Sequence, residues 1–259
     1  MSQSIASEPI LQDVVEEIQF PPGDLWSDEP PLETDLHREQ IDLLIRLLKW
    51  WWRERQNFYV SGNLTVYYSP NQRKSEDFRG PDFFVVLGTE KKDRKSWVVW
   101  QEEGKYPHVI VELLSDSTAA VDKGLKKQIY QDTFRTLDYF WFDPVNLEFK
   151  GFHLVEGQYQ ELVPNDRGWL WSQQLELYLG IHEKKLRFFT AEGELVPLPE
   201  EEMQQQAEQE RQRAEQERQR AEQERQSAEQ ERQRAEQAEQ ELERLRDRLR
   251  SQGINLENP

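Results

Sequence analysis

The chain has 259 residues and a net charge of −17, and it contains no cysteine. This length allows either one domain of about 200 residues with an appendage or two small domains. The lack of cysteine excludes disulfide bonds, zinc–thiolate sites and thiol catalysis. The sequence has no apolar run of about 18 residues and no secretory segment, so we expect a cytoplasmic protein without a membrane segment.

The negative charge argues against a surface built for general nucleic-acid binding, because basic residues that neutralise phosphates supply most of that affinity. Residues 200–259 carry 17 acidic side chains and 11 arginines, so the acidic excess is spread along the chain. A nucleic acid would have to contact local basic patches. The candidates are Arg73 with Lys74, Lys91 and Lys92 with Arg94 and Lys95, and the group Lys123, Lys126 and Lys127.

The N-terminal third begins with an acidic, proline-bearing segment, residues 1–30, which we expect to be a partly extended lead-in. Thr34 has the side chain of an N-cap, and the spacing after it predicts a helix to about Arg55. We expect His37 on this helix to pack or to face solvent rather than to bind metal. The apolar face of the helix contains Ile41, Leu44, Ile45, Leu47 and Leu48.

The middle of the chain alternates strand-like and helical patterns. Residues 122–135 predict a helix that buries Leu125, Ile129 and Phe134. Strands are predicted at 58–60, 64–68, 82–87, 97–100, 108–114, 138–142, 147–152, 158–163 and 175–189. A helix, several strands, a second helix and further strands predict an α+β fold with a mixed or antiparallel sheet.

The C-terminal segment repeats a seven-residue unit, with alanine at 207, 214, 221, 228 and 235. Glutamate and arginine at helical spacing support a helix of about 50 residues. One alanine per heptad is a poor coiled-coil seam, because a seam needs apolar residues at two positions of each heptad. Over residues 235–249 apolar residues recur at alternate spacings of three and four, and we predict that the helix self-associates there. A monomeric helix stabilised by its charge pairs is the alternative.

Two carboxylates lie at the ends of apolar strands. Glu112 closes a strand of aliphatic residues, and Asp82 opens another. An ionised glutamate in such a strand costs several kcal/mol unless a cation or hydrogen bonds compensate it. A carboxylate of this kind is more often solvated or paired with a lysine, but two acids and a nearby lysine suit a hard divalent metal and a phosphoester substrate.

The helix after Glu112 supplies the further candidates. Asp122, Lys126 and Tyr130 are four residues apart, so they share one helical face. Two of them have an alternative to a role in the site: Asp122 is equally well explained as the N-cap of this helix, and Lys126 can be an ordinary surface lysine.

These residues also form a series that resembles a known family. The segments Pro81–Val86, Ile110–Thr118, Asp122–Tyr130 and Asp138–Pro144 occur in the order found in the Uma-type restriction endonucleases, which belong to the PD-(D/E)XK nuclease superfamily. The resemblance covers roughly residues 30–190 and implies a restriction-endonuclease-like core, in which helices flank a central mixed sheet. The implied division is a lead-in at 1–30, a nuclease-like domain at 31–199, a long helix at 200–253 and a tail at 254–259.

The resemblance also assigns roles. It implies that Asp82, Glu112 and the backbone carbonyl of Leu113 bind Mg²⁺, or Mn²⁺ in its place. The lysine usual two residues after the acid would fall at Leu114, and its counterpart on the following helix is Lys126. Glu33, Asp122 and Tyr130 are auxiliary candidates.

The function implied is metal-dependent hydrolysis of DNA by an endonuclease. The alternative is a catalytically inactive scaffold whose long helix mediates oligomerisation or partner binding.

Overall fold

The computed structural model describes Leu25, Ser27 and residues 34–69, 78–115 and 122–251. The predicted lead-in lies outside the described residues except for Leu25 and Ser27, as do Glu33, the basic pair at 73–74 and the tail at 254–259. The chain divides into two compact units, one that ends at Leu198 and one that begins at Pro199. Within the described ranges, every helix is too short or too polar to cross a bilayer.

Helix α1 spans Asp35–Trp51 and begins as predicted at Thr34, whose hydroxyl accepts a hydrogen bond from the backbone N–H of His37. It ends about four residues before Arg55, because the chain leaves helical geometry at Trp52. His37 packs rather than faces solvent. The buried face comprises His37, Gln40, Ile41, Leu43, Leu44, Leu47 and Leu48.

A six-stranded mixed sheet forms the centre of the first unit, as predicted. Its six strands are β1 (Phe58–Ser61), β4 (Phe83–Leu87), β6 (Val109–Leu113), β7 (Asp138–Phe142), β8 (Phe149–Val155) and β9 (Gln158–Glu161). They lie in the order β1-β4-β6-β7-β8-β9, and within this sheet only the β6–β7 pair is parallel.

Two three-stranded sheets complete this unit. One contains β2 (Val66–Tyr67), β3 (Phe78–Arg79) and β5 (Trp97–Val98), and the other contains β10 (Leu170–Ser172), β11 (Leu177–His182) and β12 (Lys185–Phe189). The strand predicted at 97–100 ends early, because a 3₁₀ turn follows at Val99–Gln101. The stretch predicted at 175–189 is a hairpin that turns at Glu183 and Lys184, both of which have positive φ.

Alternate residues of the central strands feed two separate cores. In β6, Val109, Val111 and Leu113 pack in the cluster that contains the α1 side chains. Ile110 and Leu114 pack on the opposite face of the sheet. That face is covered by helix α2, which runs through the consecutive segments Asp122–Lys126, Lys127–Ile129 and Tyr130–Phe134.

Helix α2 differs from the prediction in two ways. Its first and last segments are π-helical, and π turns occur often at functional sites. Leu125, predicted to be buried, is one of the exposed large apolar residues, whereas Tyr130 and Phe134 are buried. The wider helical turn changes which residues face the sheet, so a strict 3.6-residue period misplaces Leu125.

The second unit is helix α3, Pro199–Ser251, which has 53 residues and no buried side chain. Glutamine side chains donate to glutamates four residues earlier, for example Gln212 to Glu208 and Gln219 to Glu215. Such pairs stabilise an exposed helix by a few tenths of a kcal/mol each. Leu242 and Leu245 are exposed, and association through 235–249 stays a prediction.

Candidate functional site

Asp82 and Glu112 lie side by side on the face of the sheet that α2 covers. Strands β4 and β6 are antiparallel with Phe83 opposite Val111, so the next residue pair in the same register is Asp82 and Glu112. Directly opposed residues have Cβ atoms about 5 Å apart. The Oδ2 atom of Asp82 accepts a hydrogen bond of 2.7 Å from the backbone N–H of Leu113, which fixes this carboxylate beside the end of β6.

Glu112 is completely buried, and helix α2 supplies donors to both of its carboxylate oxygens. The Tyr130 hydroxyl donates to Oε1 at 2.6 Å, and the Lys126 ammonium donates to Oε2 at 3.1 Å. The Glu112 side chain is 0% exposed and that of Lys126 is 19% exposed. A charge so well shielded from water is tolerated because a cation and a hydroxyl replace its hydration.

The local sequence explains how α2 reaches this carboxylate. Lys126 and Tyr130 are four residues apart, so both project from one helical face. The helix ends at Phe134, because Arg135 adopts a left-handed conformation with φ of 56°. Tyr130 is fully buried among the aromatic side chains of this core, which anchors the helix over the end of β6.

A row of four side chains crosses the sheet at the level of Glu112. Glu112 is opposite Trp141 on β7, and Trp141 is opposite Lys150 on β8. With Asp82, the row therefore contains two carboxylates, an indole and an ammonium group on one face. Lys123 from α2 lies over Trp141, with its Nζ 4.2 Å from the ring centroid.

The carboxylate pair fits a hard divalent cation. Mg²⁺ is bound through one or two carboxylates and keeps several waters, rather than being enclosed by protein ligands alone. Two acids at the ends of rigid strands meet that requirement, and the described residues contain no group of three or more His, Asp or Glu suited to a metal. Leu113, whose carbonyl is the predicted third ligand, lies at the end of β6 beside Asp82.

The other predicted residues have different outcomes. Glu33 lies outside the described residues. Asp122 is the first residue of α2, and its side chain is also outside them. Leu114 is 1% exposed and packs in the core, which explains why this position carries no lysine.

Sequence reasoning did not single out Trp141 or Lys150 as neighbours of the site. Each lies in a sequence pattern that indicates a strand but not the neighbours of that strand in the sheet. Their place beside Glu112 depends on β6 pairing with β7 and β7 with β8, which no local pattern reveals.

Comparison with known proteins identifies the family of the chain. A family model described as "Uma2: Putative restriction endonuclease" matches residues 15–188. One solved structure with some likeness is a putative nuclease of the DUF820 group from Anabaena variabilis. The two sequences are 12% identical, the TM-score is 0.44, and the match covers 59% of this chain and 80% of that one. No curated protein matches the sequence.

Proposed function

Because the chain belongs to the Uma2 family of restriction-endonuclease-like nucleases, we propose that it hydrolyses DNA phosphodiester bonds with the help of a divalent cation, Mg²⁺ or Mn²⁺. The observation that carries this proposal is the fully buried carboxylate of Glu112, which contacts Lys126 and lies next to Asp82. A buried acid of this kind costs stability, and costly charges concentrate at functional sites. We expect the protein to act in the cytoplasm.

The residues have distinct proposed roles. Asp82, Glu112 and the carbonyl of Leu113 would hold the cation. A cation held there supplies Lewis-acid polarisation of the scissile phosphate and lowers the pKa of a bound water. Lys126, which donates to Glu112 at 3.1 Å, would help to position and deprotonate the attacking water and to offset the negative charge that develops on the phosphate. Tyr130 keeps Glu112 in one orientation through its hydrogen bond to Oε1.

A cleavage assay tests the proposal. Wild type, Glu112→Gln and Lys126→Met would be incubated with supercoiled, linear duplex and single-stranded DNA, in Mg²⁺, Mn²⁺ or EDTA. Glu39→Gln is the matched control, because it removes the same charge from an exposed position on α1. We expect wild type and the control to cut in the presence of metal, and both site variants to be at least about 100-fold slower.

Two results would overturn the assignment. One is cutting by Glu112→Gln at the wild-type rate. The other is the absence of metal-dependent cutting of all three substrates by wild type. Circular dichroism of each variant would establish that a loss of activity does not reflect a loss of fold.

A second candidate function is a nuclease-like scaffold whose long helix acts in assembly. The negative charge of the chain and the absence of any buried side chain in α3 favour it. We propose that residues 235–249 form a homo-oligomeric coiled coil, since Leu242 and Leu245 are exposed apolar residues at its predicted seam. Sedimentation of wild type and of Leu242→Ser/Leu245→Ser would test it. An equal mass for both proteins would contradict the seam.

A further inference from the structure

The face of the sheet beside Glu112 contains a second group of charged residues, two strands away. Lys150 lies beyond Trp141 in the row that starts at Asp82. Neighbouring strands are about 4.8 Å apart, so the backbone of Lys150 is about 10 Å from that of Glu112. Lys150 forms an ion pair of 2.9 Å with Glu161 on β9. This group is therefore separate from the carboxylate pair, although both lie on the same face of the sheet.

Lys127 of α2 reaches the same place from the other side. Its Nζ is 3.4 Å from the centroid of the Phe152 ring, and Phe152 is two residues after Lys150 on the same face of β8. Among the described residues, Lys127 forms no ion pair. Burial lowers the pKa of Lys127; nearby Glu161 opposes this shift, and the positive charge of Lys150 adds to it. Glu161 thus forms an ion pair with Lys150 and also acts electrostatically on Lys127.

We propose that Lys127 and Lys150 form a phosphate-binding subsite for the DNA strand whose cleavage is proposed above, so this inference rests on that function. Two lysines against one glutamate leave a positive charge on an otherwise acidic protein. A strand presents one phosphate charge about every 3.4 Å along the axis. A separation of about 10 Å therefore places the subsite about three nucleotides from the phosphodiester bond that would be cleaved at Asp82 and Glu112.

Lys123 provides an internal comparison on the same path. It lies over Trp141, between Glu112 and Lys150, but it is paired one to one with Glu148 at 3.1 Å. A lysine that keeps its own carboxylate adds little net attraction for a phosphate. We expect Lys123 to contribute less to binding than the Lys127 and Lys150 pair.

The lysines at the other end of β4 serve as a control. Lys49, Lys91 and Lys92 line a cleft beside Phe58, which pairs with Leu87. Leu87 is five residues from Asp82 along an extended strand, so this cleft is about 17 Å from the carboxylate pair. Lys49→Gln removes one positive charge there, at an exposed helical position.

Fluorescence anisotropy of labelled single-stranded and duplex DNA, in EDTA to prevent cleavage, tests the subsite with the full chain. We expect Lys127→Gln/Lys150→Gln to weaken binding at least about 10-fold. Because the subsite binds one phosphate, the slope of log K against log[salt] should fall by about 0.7 for the single strand or about 0.9 for the duplex. Lys127→Arg/Lys150→Arg should restore both values, and Lys49→Gln should change neither.

Three results would overturn the subsite: no DNA binding by wild type, an unchanged salt slope in the double variant, or an equal effect of Lys49→Gln. The cleavage assay separates this proposal from the function. If the wild-type protein binds DNA through the two lysines but does not cleave it, the proposed nuclease function is wrong and the proposed subsite is supported. If the wild-type protein cleaves DNA and the double variant binds DNA as tightly as wild type, the proposed subsite is wrong and the proposed nuclease function is supported.

Discussion

The hydroxyl of Tyr130 donates a 2.6 Å hydrogen bond to Oε1 of Glu112, and neither residue has any exposed surface. This distance is typical of a hydroxyl bound to an ionised carboxylate, which is about twice as strong as a bond between neutral groups. Because the carboxylate is closed off from water, Tyr130 and Lys126 replace its hydration. The orientation of Glu112 toward Asp82 thus depends on a residue that itself belongs to the core.

Tyr130→Phe separates the role of this hydroxyl from the role of the ring. The ring fills the same space, so we expect the domain to fold, with a loss of about 1.5–3 kcal/mol for the hydrogen bond to a charged group. Cleavage should fall about 10- to 100-fold. Unchanged activity would show that Tyr130 acts in packing alone.

Local patterns predicted strand-end positions for Asp82 and Glu112 and one helical face for Lys126 and Tyr130, and the family resemblance assigned them to one site. Strand ends fix where the two acids lie, and a four-residue spacing on α2 fixes the helical face. The structure brings these side chains together on one face of the sheet. The long helix follows from the pattern of charged residues, whereas the strand patterns predict a mixed or antiparallel sheet and only the family resemblance specifies a mixed one.

Features that depend on strand order could not be predicted in this way. Trp141 and Lys150 lie in one row with Glu112 only because β7 and β8 follow β6 in the sheet. The sequence of a single strand does not specify which strands pair with it. The exposure of Leu125 was missed for a different reason. A π turn depends on how the helix packs against the sheet, whereas the sequence pattern assumes a uniform α-helix.

Thermal unfolding with and without a divalent cation tests Asp82 independently of catalysis. A ligand at a hundred times its Kd stabilises the folded state by about 2.7 kcal/mol, which raises the Tm of a domain of this size by about 5–10 °C. We expect this shift with Mg²⁺ or Mn²⁺ in wild type, and its loss on addition of EDTA. Asp82→Asn should abolish it, because the substitution removes one of two charged ligands. Asp166→Asn, in an exposed turn, is the control, and equal shifts in both variants would refute the role of Asp82.

A second buried carboxylate, Asp138 at the start of β7, has a structural role. One of its oxygens lies 2.6 Å from Nδ1 of His153, and the other accepts hydrogen bonds from the Ser172 hydroxyl and the Gln174 backbone N–H. The central sheet is thereby joined to β10. Asp138 is fully buried, so its removal leaves these donors without an acceptor.

Asp138→Ala should therefore lower the free energy of unfolding by about 3 kcal/mol or more. Urea unfolding measures this loss, and hydrogen exchange should become faster in β10. Asp132→Ala removes the same group from an exposed position on α2 and should cost less than about 1 kcal/mol. Equal stabilities for the two variants would contradict the structural role of Asp138.

His108 links stability to pH at the end of the sheet opposite the carboxylates. Its Nδ1 accepts a hydrogen bond from the backbone N–H of Leu87, which requires this nitrogen to be unprotonated. Burial, together with the positive charge of Lys105, holds the pKa of His108 below its usual 6.5. The unfolded chain therefore takes up the proton at a higher pH than the folded protein. The stability that His108 contributes is complete above pH 6.5 and is lost as the pH falls through the lower folded pKa.

We expect the Tm of wild type to fall between about pH 7.5 and pH 5.5, and that of His108→Gln to fall less. Glutamine retains a side-chain acceptor for the Leu87 N–H but cannot be protonated in this range. His182→Gln, at an exposed position before the β11–β12 turn, should keep the wild-type dependence. Other groups also titrate in this interval, so the quantity that decides is the difference between wild type and His108→Gln. Parallel curves for these two proteins would mean that His108 is not the group that responds to acid.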